Sequence, residues 1–317
     1  MNRLAASLGL PPSLMRLGAA QIGRRVLNPD LPWPTQRQRL DRLMGAAPIP
    51  RGTHITEQTL GGVRAETVAV IGERPSRTVV HFHGGGYCVG SARMVRGWAA
   101  RLAAQASCQV VLPEYRLAPE HPYPAGLDDA RDLLRALPGE VDPASIVLSG
   151  DSAGAGLALS VLLARREAGE ELTAGCILIS PWLDLTVDRR SDADLVRKDV
   201  LLSPSWLKAC ATAYTSPSNW TDPKVSPLLA EHDGLPPLLI QSSSDDLLAP
   251  DAERLAASAS AAKVDVTYTR WPRMGHDFAL QPGLLAAANS AVAQAAWFAA
   301  KVTRPASPPP GSGTPPR

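Results

Sequence analysis

From residue 77 onward the chain alternates short, unbroken apolar runs with stretches of helical pattern. The runs "TVVHF", "CQVVLPEY", "SIVLSG" and "GCILIS" are separated by "MVRGWAARLAAQA", "AGLDDARDLLRAL" and "AGLALSVLLARREAG". A β-rich run without polar alternation must be covered on both faces. Strands that meet only through intervening helices pair in parallel. The expectation is an α/β protein with a mostly parallel central sheet flanked by helices. The alternation breaks over 185–232, where charge, prolines and two tryptophans appear without a strand, and this predicts a helical cap insertion. It resumes with "PPLLIQS", the helix "DAERLAASASAA", the strand "VDVTYTRWP" and a last helix near 283–301.

Three further segments complete the organisation. Residues 1–45 alternate helix-like patches with prolines, and Leu40, Leu43 and Met44 fall at helical spacing, predicting an N-terminal helical segment that lies over another part of the chain. "THITEQTLGGVRAETVAVIG" reads as two strands about a Gly61-Gly62 turn and opens a main domain running from 46 to 303. Residues 304–317 hold six prolines in fourteen and are expected to be disordered. The formal net charge of +2 lacks the concentrated basic face of a nucleic-acid binder. No run of eighteen apolar residues reads as a membrane span. The N-terminal apolar stretch is broken by Pro11, Pro12, Ser13 and Arg16, so it does not read as a signal peptide. The four cysteines show neither pairing nor metal-ligand spacing, which fits small buried side chains in a reducing, cytoplasmic compartment.

The chemistry concentrates in two glycine-bearing turns. "LSGDSAGAG" contains G-x-S-x-G at Gly150 to Gly154, between a buried strand and an Ala/Leu-rich helix. That strand-turn-helix setting is what a nucleophile elbow needs: a sharp turn beside Ser152 where only small residues fit. The helix N-terminus behind the serine would stabilise developing negative charge. The alternative is an ordinary turn with Ser152 capping the helix. "VVHFHGGGYCVGS" places Gly84, Gly85 and Gly86 after another buried strand. Acyl transfer needs backbone N–H groups aimed at an oxyanion; one would come from Ala153 and the others from these glycines. A phosphate-cradling loop is the alternative, but neither G-x-x-x-x-G-K-[ST] nor G-x-G-x-x-G lies nearby.

The chain resembles the hormone-sensitive-lipase family of α/β-hydrolase esterases. The matching stretches are "HGGGY" at 83–87, "YRLAPEHPYPAGLDDA" at 115–130, "GDSAG" at 150–154, "ISPWLDLT" at 179–186 and "LPPLLIQ" at 235–241. One departure is "GDSAGAG", where the family usually has a third glycine; an alanine within the helix should be tolerated. The resemblance implies the α/β-hydrolase fold with a core of about eight strands and residues 1–45 as a helical cap, and hydrolysis of short- to medium-chain carboxylic esters by a serine triad, without cofactor or metal. It also implies a small-molecule ester substrate and, often, a homodimer. A deacetylase acting on acetyl esters or amides of a small molecule is the nearest alternative on this fold. A non-catalytic small-molecule receptor is a more distant one, and it would be expected to lack a triad member.

The same resemblance sets the order serine, acid, histidine. Of six histidines only His276, in "WPRMGHDF", follows both Ser152 and the acidic stretch "QSSSDDLLAPD". Ser152 would attack the ester carbonyl, His276 would carry the proton, and a carboxylate would orient the imidazole. Among the aspartates, Asp251 follows Pro250 and reads as a helix-start residue. Asp245 and Asp246 are adjacent and point opposite ways, so one alone meets the histidine. The family's acid is followed two residues on by a hydrophobic residue and five on by another acid. Asp246 fits, through Leu248 and Asp251, leaving Asp245 for solvent or a loop amide. His83 is expected to shape the glycine loop and His121 to position the same region. Trp182, Leu183 and parts of 195–220 are expected to line the acyl pocket.

Overall fold

The computed structural model describes residues 9–44, 49–73, 75–137, 142–186, 188 and 192–303. Eight strands form one sheet: β1 (Thr53–Leu60), β2 (Val63–Val70), β3 (Thr78–Phe82), β4 (Gln109–Pro113), β5 (Ile146–Asp151), β6 (Gly175–Ile179), β7 (Leu238–Ser243) and β8 (Val266–Trp271). Their order is β1-β2-β4-β3-β5-β6-β7-β8. The β1–β2 hairpin turns at Gly61-Gly62 and β2 pairs antiparallel with β4, while every other neighbour is parallel. The burial pattern follows the sequence reasoning. Strands β3, β5, β6 and β7 are buried along their whole length, as unalternating apolar runs require, whereas β1 is exposed or half-buried throughout.

Helices cover both faces. On one side α3 (Ala92–Ala106) and α9 (Ala286–Val302) pack through Val95, Trp98, Leu102, Val292 and Phe298. On the other lie α4 (Ala125–Ala136), α5 (Ala153–Glu167) and α8 (Ala249–Ala261). The first twelve residues of α5, Ala153–Ala164, are all buried. Small and apolar side chains all round let this helix sit in the middle of the core.

The chain leaves β3 for β4 on one side of it and later returns to place β5 on the other. The carboxyl ends of β3 and β5 therefore diverge at a switch of direction, where an α/β sheet opens a crevice. Both glycine-bearing turns emerge there, one after Phe82 and the other after Asp151.

The remaining helices gather near that crevice. The N-terminal segment forms α1 (Pro12–Arg25) and α2 (Trp33–Met44). The insertion forms α6 (Ala193–Lys198) and α7 (Pro204–Tyr214). Gln36, fully buried, accepts from the Trp206 indole N–H at 2.9 Å and donates to the carbonyls of Asn28 and Leu31. Arg16 donates to the Lys198 carbonyl at 2.7 Å, and Gly23 lies so close to Leu201 that a Cβ would stand 2.5 Å from its carbonyl oxygen. Two pieces of chain more than 150 residues apart thus pack as one helical layer. The expected disordered tail at 304–317 lies outside the described residues.

Candidate active site

Ser152 sits at the tip of the turn between β5 and α5 with φ 51 and ψ −119. A non-glycine residue in that region carries about 1–3 kcal/mol of backbone strain. The neighbours allow the turn because they lack bulk: a Cβ on Gly150 would lie 2.2 Å from the Gly154 carbonyl oxygen, and one on Gly154 would lie 2.0 Å from that of Phe82. The Ser152 side chain makes no capping bond to α5, which removes the capping-serine alternative. Ala155, the departure from the family pattern, is fully buried in α5. Gly156 has no such latitude, since a Cβ there would meet the Tyr87 hydroxyl at 2.4 Å.

The glycine loop is held from beneath by a residue that sequence reasoning did not single out. Asp151 is buried and its Oδ2 accepts from the Gly84 N–H at 2.9 Å. Its Oδ1 lies 3.0 Å from His81 Nε2, while His81 Nδ1 lies 2.9 Å from Ser149 Oγ and the ring packs on Trp98. The Gly84 N–H is therefore spent on Asp151, which corrects the expectation that it faces an oxyanion. The N–H groups of Gly85, Gly86 and Ala153 have no acceptor among the described residues. His83 does shape the loop: its Nδ1 lies 2.8 Å from the Gly84 carbonyl oxygen and its ring stacks on Tyr115 at 4.5 Å. His121 is exposed on the surface, so its side chain does not position the loop; the neighbouring Ala118 N–H, bonded to the Tyr87 carbonyl at 2.9 Å, does.

The three aspartates after β7 separate cleanly. Asp246 is fully buried with Oδ1 3.0 Å from His276 Nδ1, and that oxygen also accepts from the Leu248 N–H at 2.8 Å. Asp245 turns away and forms a 2.7 Å ion pair with Arg16 of α1, rather than facing solvent or a loop amide. Asp251 begins α8, as its sequence setting suggests, but its carboxylate is buried and accepts from the Leu183 and Asp184 N–H groups at 2.9 and 3.1 Å. It holds the loop after β6 against α8, a tertiary role that the helix-start pattern did not disclose.

His276 has a second carboxylate. Its Nε2 lies 3.1 Å from Asp277 Oδ2, and no bond to Ser152 Oγ is present in this arrangement. Catalytic hydrogen bonds are often loose before substrate arrives. Burial pulls the His276 pKa down, but Asp246 and Asp277 on its two nitrogens outweigh burial and hold it well above the ordinary histidine value. Burial raises Asp277 to about 7, opposed by His276 and assisted by Asp151. Asp199, beyond the end of α6, lies close behind. It accepts from the Leu247 N–H at 2.8 Å, and burial followed by repulsion from Asp246 lifts it to about 6.

These groups open onto a cavity of about 420 Å³ lined by Ser152, Gly84, Gly85, His276 and Asp277. Its outer walls come from α1 and α2, including Met15, Ile22, Leu40 and Leu43, and from Leu201, Leu202 and Trp206. Trp182 and Leu183 do not belong to it. Trp182 borders a smaller, separate cavity with Pro204, Leu207 and Trp220, and Leu183 is fully buried. Of the stretch 195–220, Leu201, Leu202 and Trp206 line the cavity that holds Ser152.

Comparison with known proteins agrees with this architecture. The α/β-hydrolase fold family matches residues 79–280. An esterase of Acinetobacter venetianus is 36% identical over 265 residues, covering 83% of this chain and 87% of that protein. An acetyl-hydrolase of Streptomyces hygroscopicus is 36% identical over 239 residues, covering 75% and 79%. The crystal structure of an esterase from the bacterial hormone-sensitive lipase family superposes with a TM-score of 0.87 at 32% identity, covering 94% of this chain and all of that one. The fold and the cavity define an α/β hydrolase, and the chain belongs to that family. Within it, the protein is an esterase of the hormone-sensitive-lipase type.

Proposed function

We propose that the protein is a serine carboxylesterase that cleaves short- to medium-chain esters through an acyl-enzyme. Ser152 Oγ attacks the ester carbonyl, and His276 Nε2 accepts its proton. The C–O bond to the alcohol then breaks and His276 returns the proton to the leaving oxygen. Water repeats the sequence to release the acid. Asp246 holds the imidazole through Nδ1. The N–H groups of Gly85, Gly86 and Ala153 receive the oxyanion. The observation that carries this reading is the strained serine at the head of α5, sharing a cavity with a histidine whose Nδ1 lies 3.0 Å from a buried carboxylate. The helices α1, α2, α6 and α7, from the N-terminal segment and the insertion, act together as the cap over the cavity.

The acetyl-hydrolase relative favours a second reading, removal of an acetyl group from a small molecule by the same residues. No helix among the described residues is long and apolar enough to cross a membrane. The four unpaired, buried cysteines are consistent with a cytoplasmic setting, and the family resemblance with a homodimer.

A fluorophosphonate probe should label the protein at Ser152, and Ser152→Ala should abolish both labelling and turnover of p-nitrophenyl butyrate. Undiminished turnover by that variant would refute the assignment. Activity on an acetylated-amine panel exceeding that on esters would favour the deacetylase.

A further inference from the structure

Asp277 is placed unlike a bystander. It directly follows His276, adopts φ 54 with its N–H 3.2 Å from Ser180 Oγ, and lines the cavity that holds Ser152. One carboxylate oxygen takes His276 Nε2, while the other, Oδ1, is buried and has no hydrogen-bond partner. An orphaned carboxylate oxygen in a largely apolar cavity is costly, by more than a typical hydrogen bond returns. The rotated backbone holds it there nonetheless.

The direction of the chemistry says what could satisfy it. His276 Nε2 delivers its proton to the oxygen of the departing alcohol, so a carboxylate on Nε2 stands on the leaving-group side of the ester. Catalysis also requires Nε2 to turn from Asp277 to Ser152, which leaves both Asp277 oxygens in need of a donor. Arg101, the cation lining the same cavity, donates through Nη1 to the Gly97 carbonyl of its own helix, its Nε has no hydrogen-bond partner among the described residues, and it makes no bond to Asp277. We propose that Asp277 is a specificity-determining residue that accepts a hydrogen bond from an O–H or N–H group on the alcohol portion of the substrate. It thereby selects esters of hydroxylated or amino alcohols over esters of plain alkanols. The proposal rests on the esterase reading above.

The test is a matched pair of substrates, 2-hydroxyethyl butyrate and propyl butyrate, which differ by a hydroxyl in place of a methyl. At pH 8 the intact protein should favour the hydroxyethyl ester by about tenfold or more in kcat/KM, since a site built to hold a hydroxyl rejects the analogue lacking it. Asp277→Ala should bring the ratio to about one, whatever it does to the absolute rates. Asp277→Asn, which keeps an acceptor, should retain part of the preference. A ratio near one in the unaltered protein, or an unchanged ratio in Asp277→Ala, overturns the proposal and leaves the esterase reading intact. Failure to hydrolyse either ester or p-nitrophenyl butyrate would instead strike the esterase reading. Should Asp277→Ala lose turnover, binding of the two esters to Ser152→Ala, with and without the Asp277 change, gives the same comparison, and equal binding in both proteins overturns the proposal.

Discussion

Asp245 and Asp246 are chemically identical neighbours with opposite assignments. Asp246→Asn should leave Asp245 and Arg16 paired but offer His276 a neutral partner, lowering kcat by several orders of magnitude, as such changes do in serine triads. Asp245→Asn breaks a partly exposed ion pair, worth about 0–1 kcal/mol, and should leave kcat within a fewfold. The opposite pattern would show that the acid is one residue earlier. The pH dependence is also decided here. His276 must be neutral to accept a proton, and two carboxylates favour its charged form. The acid limb of kcat/KM should therefore lie well above the ordinary histidine range, with activity rising as pH increases. Asp277→Asn removes one negative charge, weakens the hold on the proton and should move that limb to lower pH. A limb that stays in place would show that Asp277 does not govern the titration. Sequence reasoning singled out Ser152 and His276, which fold into one cavity, because the turn and the chain order mark them. It could not see Asp151, Asp199 or Asp277, since their contacts depend on which backbone and ring nitrogens come within 3.1 Å after folding.

Among the elements, legibility followed periodicity. Strands β3, β5 and β6 and helices α4 and α5 could be read within a residue or two, because unbroken apolar runs and small-residue helices leave few alternatives. The helical layer over the cavity was legible as helix but not as a single unit. The pairing of α2 with α7 rests on Gln36, a polar residue that sequence logic assigns to the surface and the fold buries completely. Gln36→Leu would leave the Trp206 indole N–H and the Leu31 carbonyl without partners, while the Asn28 carbonyl keeps the Leu31 N–H. Each buried orphan costs about 1–3 kcal/mol, so this variant should unfold at clearly lower urea concentration than the parent. Unfolding at the same midpoint would mean that the layer is held by its apolar contacts alone.

For the molecule as a whole, an α/β sheet was readable while its strand order was not. Nothing in a run such as "CQVVLP" says on which side of β3 it will settle, and that choice creates the crevice between β3 and β5. The cavity there is bounded by α1, α2 and the chain around Leu201, and its volume of about 420 Å³ lies toward the lower part of the range for small-molecule sites. In a p-nitrophenyl ester series, kcat/KM should peak at butyrate to hexanoate and fall toward palmitate. A maximum at the sixteen-carbon chain would show that α1 and α2 do not close the cavity in solution.

The turn after β7 joins these scales. One aspartate in it faces the proposed base and the next grips Arg16 of α1, while the Asp245 N–H is tied to the Met274 carbonyl at 3.1 Å, two residues before His276. The wall of the cavity and the proposed base therefore share one anchorage in the chain. Asp245→Asn would cut the tie to α1 and leave the tie to His276 in place, so the wall of the cavity and the base are fastened at adjacent residues by separate bonds.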